Sequence, residues 1–303
     1  MFDKPGIYEV DEAEYHSDPI IVPSLSHSIA KKLINQSPRH AHQAHPRFTE
    51  QEEDEANAVM DAGTALHKLV LGKGQEIAVI PFDNYTKKEA KAARAEARAA
   101  RRVPILESKM PQIMACAKET EEQIREHPDL KGFYGPGRTE VMAVWREGDV
   151  WCRSLIDRLS DTGQIYDLKT TMLSAAPWEW ENRLRKEYAT QDAFYRRGLE
   201  RLGFTSPSPI IFIPVEQQAP YCLSTLAADS TLQFWANQEV ERAIDIWREC
   251  TKTNTWPRYP LTTYHVGATG WMLEKQEERA AGATFKSRRP SKEALKFAAE
   301  EFQ

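Results

Sequence analysis

Three short runs, TEVMAVWRE, VWCRSLIDRLS and QIYDLKTT, carry Glu140, Asp157, Asp167 and Lys169 on segments rich in β-branched and aromatic residues. The turn sequences Gly148-Asp149 and Asp161-Thr162-Gly163 separate them, which reads as a three-stranded antiparallel meander. If Gly148-Asp149 is a two-residue hairpin turn, Glu147 faces Val150 and counting outward sets Glu140 opposite Asp157. If the second turn has three residues with its glycine left-handed, Ser160 faces Gln164 and Asp157 faces Asp167. Three carboxylates then stand in a row on one sheet face, with Lys169 about 6.5–7 Å beyond Asp167 on the same face.

Directly opposed like charges destabilise a sheet, because the Cβ atoms of such pairs are only ~4.5–5.5 Å apart. A cation must compensate. Mg²⁺ fits: it takes oxygen ligands and is held by one or two carboxylates, and the Leu168 carbonyl can add another oxygen. A lysine beside the ion could orient or deprotonate an attacking water, or stabilise charge on a phosphorane, so the constellation suits phosphodiester hydrolysis. The alternative is structural, with Glu140 paired to Arg153 or Arg158 and Asp167 simply paired to Lys169. A slip of one residue in either turn would send a carboxylate to the other face.

The rest of the chain must position this row. Its 303 residues can bury a substantial core, and no apolar run approaches the ~18 residues of a membrane span. The N-terminus lacks the basic start and apolar stretch of a secretory signal, so cytoplasmic residence is expected, without a membrane. Cys116, Cys152, Cys222 and Cys250 form no C-x-x-C pair and read as reduced structural thiols. A net charge of −5 excludes a wholly basic nucleic-acid coat but not local patches. Two patches stand out, residues 87–102 with Arg94, Arg98, Arg101 and Arg102, and residues 286–296 with Lys286, Arg288 and Arg289. These are the candidate DNA contacts.

Ser26 can cap a helix to about Gln36, and the stretch RHAHQAHPRF, with His40, His42 and His45, reads as a solvated irregular loop. ANAVMDAGTALHKLVLG has helical spacing up to Gly72, residues 86–102 form a largely exposed helix, and a further helix covers residues 109–127. After the meander come a long helical segment at 175–202, the strand PIIFIPVE, a second strand near Tyr221–Leu226, and an amphipathic helix over 229–251 containing Phe234, Ile244 and Trp247. The mixture is α/β or α+β, a central mixed sheet containing the antiparallel meander and flanked by helices. The expected division is an N-terminal helical and loop segment (1–60), a core (61–260) and a C-terminal extension with a basic tail (261–303).

The pattern Asp157, Asp167, Lys169 resembles the PD-(D/E)xK nuclease superfamily, whose core is restriction-endonuclease-like. GTALH at 63–67, the upstream Glu140, IDRLSDTGQIYDLKTT, and QDAFY at 191–195 resemble, in this order, the RecE-type branch that includes exodeoxyribonuclease VIII. The resemblance implies that His67, Glu140, Asp157 and Asp167 bind metal, that Lys169 is catalytic, and that Gln191 and Tyr195 form a Q-x-x-x-Y motif beside the active site and the DNA. Spacing of four agrees in part, placing Gly63 with His67, and Gln191 with Tyr195, on single helix faces. Thr170 and Thr171 continue the run.

The activity so implied is a phage or prophage exonuclease. It would use one or two Mg²⁺ ions, with Mn²⁺ as substitute, to digest linear double-stranded DNA from free ends and leave single strands for recombination. A homo-oligomer, and a single-strand annealing recombination protein as partner, belong to the same implication. The rival readings are an endonuclease of the same superfamily and a noncatalytic DNA-binding recombination scaffold.

Overall fold

The computed structural model describes residues 1–49, 58–205 and 207–280. It divides into two units, Met1–Tyr259 and Pro260–Gln303. The first is built on a six-stranded mixed sheet containing β1 (Gly6–Glu9), β2 (Leu25–Ser26), β5 (Gly137–Glu147), β6 (Val150–Ser160), β7 (Ile165–Thr171) and β8 (Ile211–Glu216). The order is β1-β5-β6-β7-β8, with β2 alongside the first half of β6. Strands β5, β6 and β7 form the antiparallel meander, whereas β8 runs parallel to β7. A separate parallel pair, β3 (Ile77–Ile80) and β4 (Val103–Leu106), lies outside this sheet.

Both turns have the geometry their glycines dictate. Gly148 and Gly163 take positive φ (66° and 87°), Glu147 faces Val150, and the Ser160 amide donates to the Gln164 carbonyl. On one face, α2 (His27–Asn35), α8 (Ala189–Arg201) and α9 (Ser230–Thr253) cover the larger core, in which Leu25, Trp145, Ile156, Phe194 and Trp247 are buried. On the other, α4 (Ala58–Leu71) and α6 (Met110–Glu126) pack Leu66, Val70 and Ile124 against Tyr166, Leu168 and Ile213. The N-terminal segment, with α1 (Glu12–His16), packs Val10, Tyr15 and Ile20 on Met142 and Val144. Helix α5 (Lys88–Ala99) is largely exposed. In the second unit, α10 spans Gly270–Ala280.

Three expectations are corrected. Residues 38–44 are not an irregular loop but α3 (Pro38–Ala44), with proline in the first turn, where its missing N–H costs nothing. His45 there is buried and His42 half-buried, both packing within 4.5–5.2 Å of the Phe48, Trp247 and Trp256 rings. Residues 221–226 make only isolated bridges to β8, at Phe212 and Val215, because Pro214 between them has no N–H to donate. On α9, Ile244 and Trp247 are buried as expected, but Phe234 is two-thirds exposed.

Candidate active site

The register counted from the two turns holds on either side of Asp157, but the regular strand face does not. Thr139 pairs with Arg158 and Val141 with Ile156, so Glu140 stands opposite Asp157 without being part of the ladder. Glu140 has φ +49°, a left-handed backbone that a non-glycine residue adopts only under local constraint. Side-chain alternation breaks at the same place: Ile156 and Leu159 lie three residues apart yet both join the larger core. The β6–β7 ladder also stops at Arg158–Tyr166, one pair short of Asp157 and Asp167. The two strands fork there, and the Asp157 carboxylate fills the gap by accepting the Leu168 amide at 2.9 Å.

Side chains enter this fork from both layers. From α4, His67 places Nδ1 3.8 Å from Asp157 Oδ2. Helix α4 can approach because residue 63 is glycine; a Cβ there would meet Thr170 Oγ1 at 2.7 Å. His67, Glu140 and Asp157 each offer one ligand atom, and these atoms lie within 4.8 Å of one another. From α8, Gln191 Nε2 donates to Asp167 Oδ2 at 2.5 Å, and Lys169 Nζ lies 2.6 Å from Asp167 Oδ1. Asp167 is buried beside the three-donor group; Gln191 bonds its Oδ2, and its Oδ1 faces Lys169 without a hydrogen bond. Tyr195 is buried one turn beyond Gln191. The two arginines of the structural alternative are engaged elsewhere, Arg153 with Asp18 and Ser24, and Arg158 with the Phe133 and Gly135 carbonyls.

The electrostatics favour a cation. Burial and then Asp167 push the Asp157 carboxyl up to about 8, and burial and then Asp157 push Glu140 to about 8. Burial and the Lys169 charge hold His67 down at about 4, so its ring is neutral at pH 7 and able to coordinate. Burial opposes the charge on Lys169, but Asp167 and Asp157 outweigh it and raise its pKa, so the lysine is an ammonium. Two frustrated carboxylates with a neutral imidazole are a donor set that a divalent ion would satisfy.

Residues 26–262 match the family described as "PDDEXK-like domain of unknown function (DUF3799)". The chain belongs to this PDDEXK-like family. A solved structure named "putative exonuclease", from Eubacterium rectale, shares the fold at TM-score 0.56 and 12% identity, covering 89% of this chain and 98% of that one. A search of curated proteins finds no match.

Around the PDDEXK-like site lies a cleft of about 760 Å³ lined by His67, Glu140, Asp157 and Thr170, and also by Glu9, Asp11, Glu12 and Arg101. Of the candidate DNA contacts, Arg98 bonds Asp61 at 3.1 Å and Arg94 lies 3.8 Å from the same carboxylate, tying α5 to α4. Arg101 and Arg102 are exposed, and Arg101 lies 3.9 Å from Asp11. Lys286, Arg288 and Arg289 lie outside the described residues.

Three neighbours of the site were not legible beforehand. Glu12, hydrogen-bonded by Gln75 at 2.9 Å, acts electrostatically on Glu140 and Asp157, and no spacing signal announces it. His27 bonds Thr190 Oγ1 at 3.1 Å and is held at about 3 by burial and then by Lys169; its position just after the Ser26 cap was the available hint. Tyr188, three residues before Gln191 in one helical stretch, puts its ring 5.0 Å from Lys169 Nζ. No described helix is long and apolar enough to cross a membrane.

Proposed function

We propose that this protein is a divalent-metal-dependent nuclease that hydrolyses phosphodiester bonds of linear double-stranded DNA from its ends, leaving single strands for recombination. The observation that carries the metal chemistry is the convergence of His67, Glu140 and Asp157 within 4.8 Å, next to the Asp167–Lys169 pair. Mg²⁺ is the favoured ion, which these three side chains would hold, with Asp167 and the Leu168 carbonyl as further oxygens. When bound, the ion supplies a Lewis acid that neutralises phosphate charge and promotes ionisation of water. Asp157 also ties β7 to the site through the Leu168 amide. Lys169, held charged by Asp167, stabilises negative charge as it builds on the phosphate and orients the attacking water. Gln191 fixes the carboxylate that fixes the lysine, and Tyr195, buried one turn further along α8, hydrogen-bonds with Gln191.

The exonuclease part rests on the order of GTALH, Glu140, the Asp157–Lys169 run and QDAFY, and on the name carried by the Eubacterium rectale protein. A cytoplasmic enzyme of phage type, working as a homo-oligomer beside a single-strand annealing protein, is part of the same proposal. End-labelled linear duplex compared with covalently closed circles tests the mode: label release from linear DNA with intact circles is expected, and cleavage of closed circles without prior nicking would mean an endonuclease.

A further inference from the structure

Between α7 (Pro177–Arg183) and α8 the helix does not run on regularly. Leu184–Tyr188 forms a π-helical turn, the kind of local widening that places a side chain where a regular α-helix would not. Its last residue is Tyr188. The Tyr188 ring faces Lys169 Nζ at 5.0 Å, stacks on Trp180 at 5.9 Å with planes 11° apart, and leans on Phe212 at 5.5 Å. Trp180 and Phe212 are almost fully buried, and the Trp180 indole donates to the Ser174 carbonyl at 3.0 Å. The Tyr188 ring is thus braced by two immobile aromatic groups.

We infer that Tyr188 is a positioning residue for Lys169, which rests on the lysine acting in catalysis as proposed above. The ammonium has Asp167 Oδ1 at 2.6 Å and the ring face at 5.0 Å. A lone carboxylate leaves a four-carbon side chain several rotamers that keep one contact. A carboxylate and a fixed ring face together select far fewer, because the attraction to the ring depends on where the cation stands over it. The π-turn delivers that second constraint, and Gln191, one turn later, delivers the first through Asp167.

The test is steady-state digestion of linear duplex by the full chain, with Tyr188→Leu and Tyr188→Phe. Removing the ring face in Tyr188→Leu is expected to lower kcat by roughly five- to tenfold with KM unchanged, the size of a partly desolvated cation–π contact. Tyr188→Phe keeps the face and should restore kcat to within about twofold of wild type. Equal loss in Leu and Phe variants, a loss in KM alone, or full activity in Tyr188→Leu would overturn the inference. Unchanged digestion by Lys169→Ala would instead remove the catalytic lysine itself, and Tyr188's role with it.

Discussion

Two clusters in this molecule combine an aspartate with a histidine and a cation, and they are built to opposite ends. Asp18 is buried and accepts the Ser24 amide at 2.9 Å and the Ser24 hydroxyl at 2.6 Å, with Arg153 at 3.0 Å and His45 at 3.3 Å. Burial alone would raise its pKa, but His45, Arg153 and Ser24 outweigh burial and lower it. Asp157 accepts one backbone amide, shares its surroundings with Glu140 and Asp167, and is driven up to about 8. The first cluster satisfies its charge within the chain and joins the N-terminal segment to β6. The second holds charge that the chain does not satisfy, at the fork where the sheet stops being regular. Buried carboxylates of the first kind hold a fold; those of the second kind await something from outside.

The largest expected effect would break the two clusters apart by mutation. Asp157→Ala should lower digestion of linear DNA on the order of a thousandfold while the protein stays folded. Asp18→Ala, which strands Arg153 in the interior, should cost about 3–5 kcal/mol of stability by urea denaturation yet leave the specific activity of the folded fraction intact. A destabilised Asp157→Ala, or an inactive but stable Asp18→Ala, would reverse the assignment.

The pH dependence of metal-free stability sharpens the contrast, because the two shifts have opposite signs. Asp157 and Glu140 sit near 8 when folded and near ~4 when unfolded, so the native state binds more protons between those values. Their contribution should fall as pH rises from about 4 to about 8. Asp18, lowered on folding, contributes fully above its unfolded pKa near ~4 and loses that contribution on acidification. Urea midpoints measured across this range should show a shallower alkaline decline in Asp157→Asn, with Glu140 left to supply the rest, whereas Mg²⁺ should relieve the decline in the wild type. An unchanged decline in Asp157→Asn would contradict the frustrated-carboxylate reading.

A smaller effect probes how α4 delivers His67. Gly63→Ala must push Thr170 Oγ1 away, at a cost of about 1–3 kcal/mol, and should weaken the thermal stabilisation by Mg²⁺ without touching the Asp18 cluster. A normal Mg²⁺ response would show that the close approach of α4 is unimportant to the site.

Much of this was legible in the sequence because short-range rules decided it. The turns at Gly148 and Gly163 set the pairing of Glu147 with Val150 and of Ser160 with Gln164, and register then carried Glu140, Asp157 and Asp167 together. The helices around Gly63, Gln191 and Trp247 followed from apolar spacing. What escaped depends on contacts distant in sequence. The fork at Asp157 arises where β6 passes from β2 to β7, and no local pattern encodes a change of neighbour. His45 looked solvated until Trp247, two hundred residues away, covered it. Strands as short as β1 and β2 have too few residues to show alternation. The contact of Asp167 with Gln191 likewise joins residues that only the fold brings together.

The most direct measurement is digestion of end-labelled linear duplex by wild type and Lys169→Ala, each with Mg²⁺ and with excess EDTA. Label release by the wild type in Mg²⁺, with none in EDTA and none from Lys169→Ala in either condition, is the expected result. Release that persists in EDTA, or that Lys169→Ala performs as fast as the wild type, would contradict a metal-and-lysine active site at the β6–β7 fork.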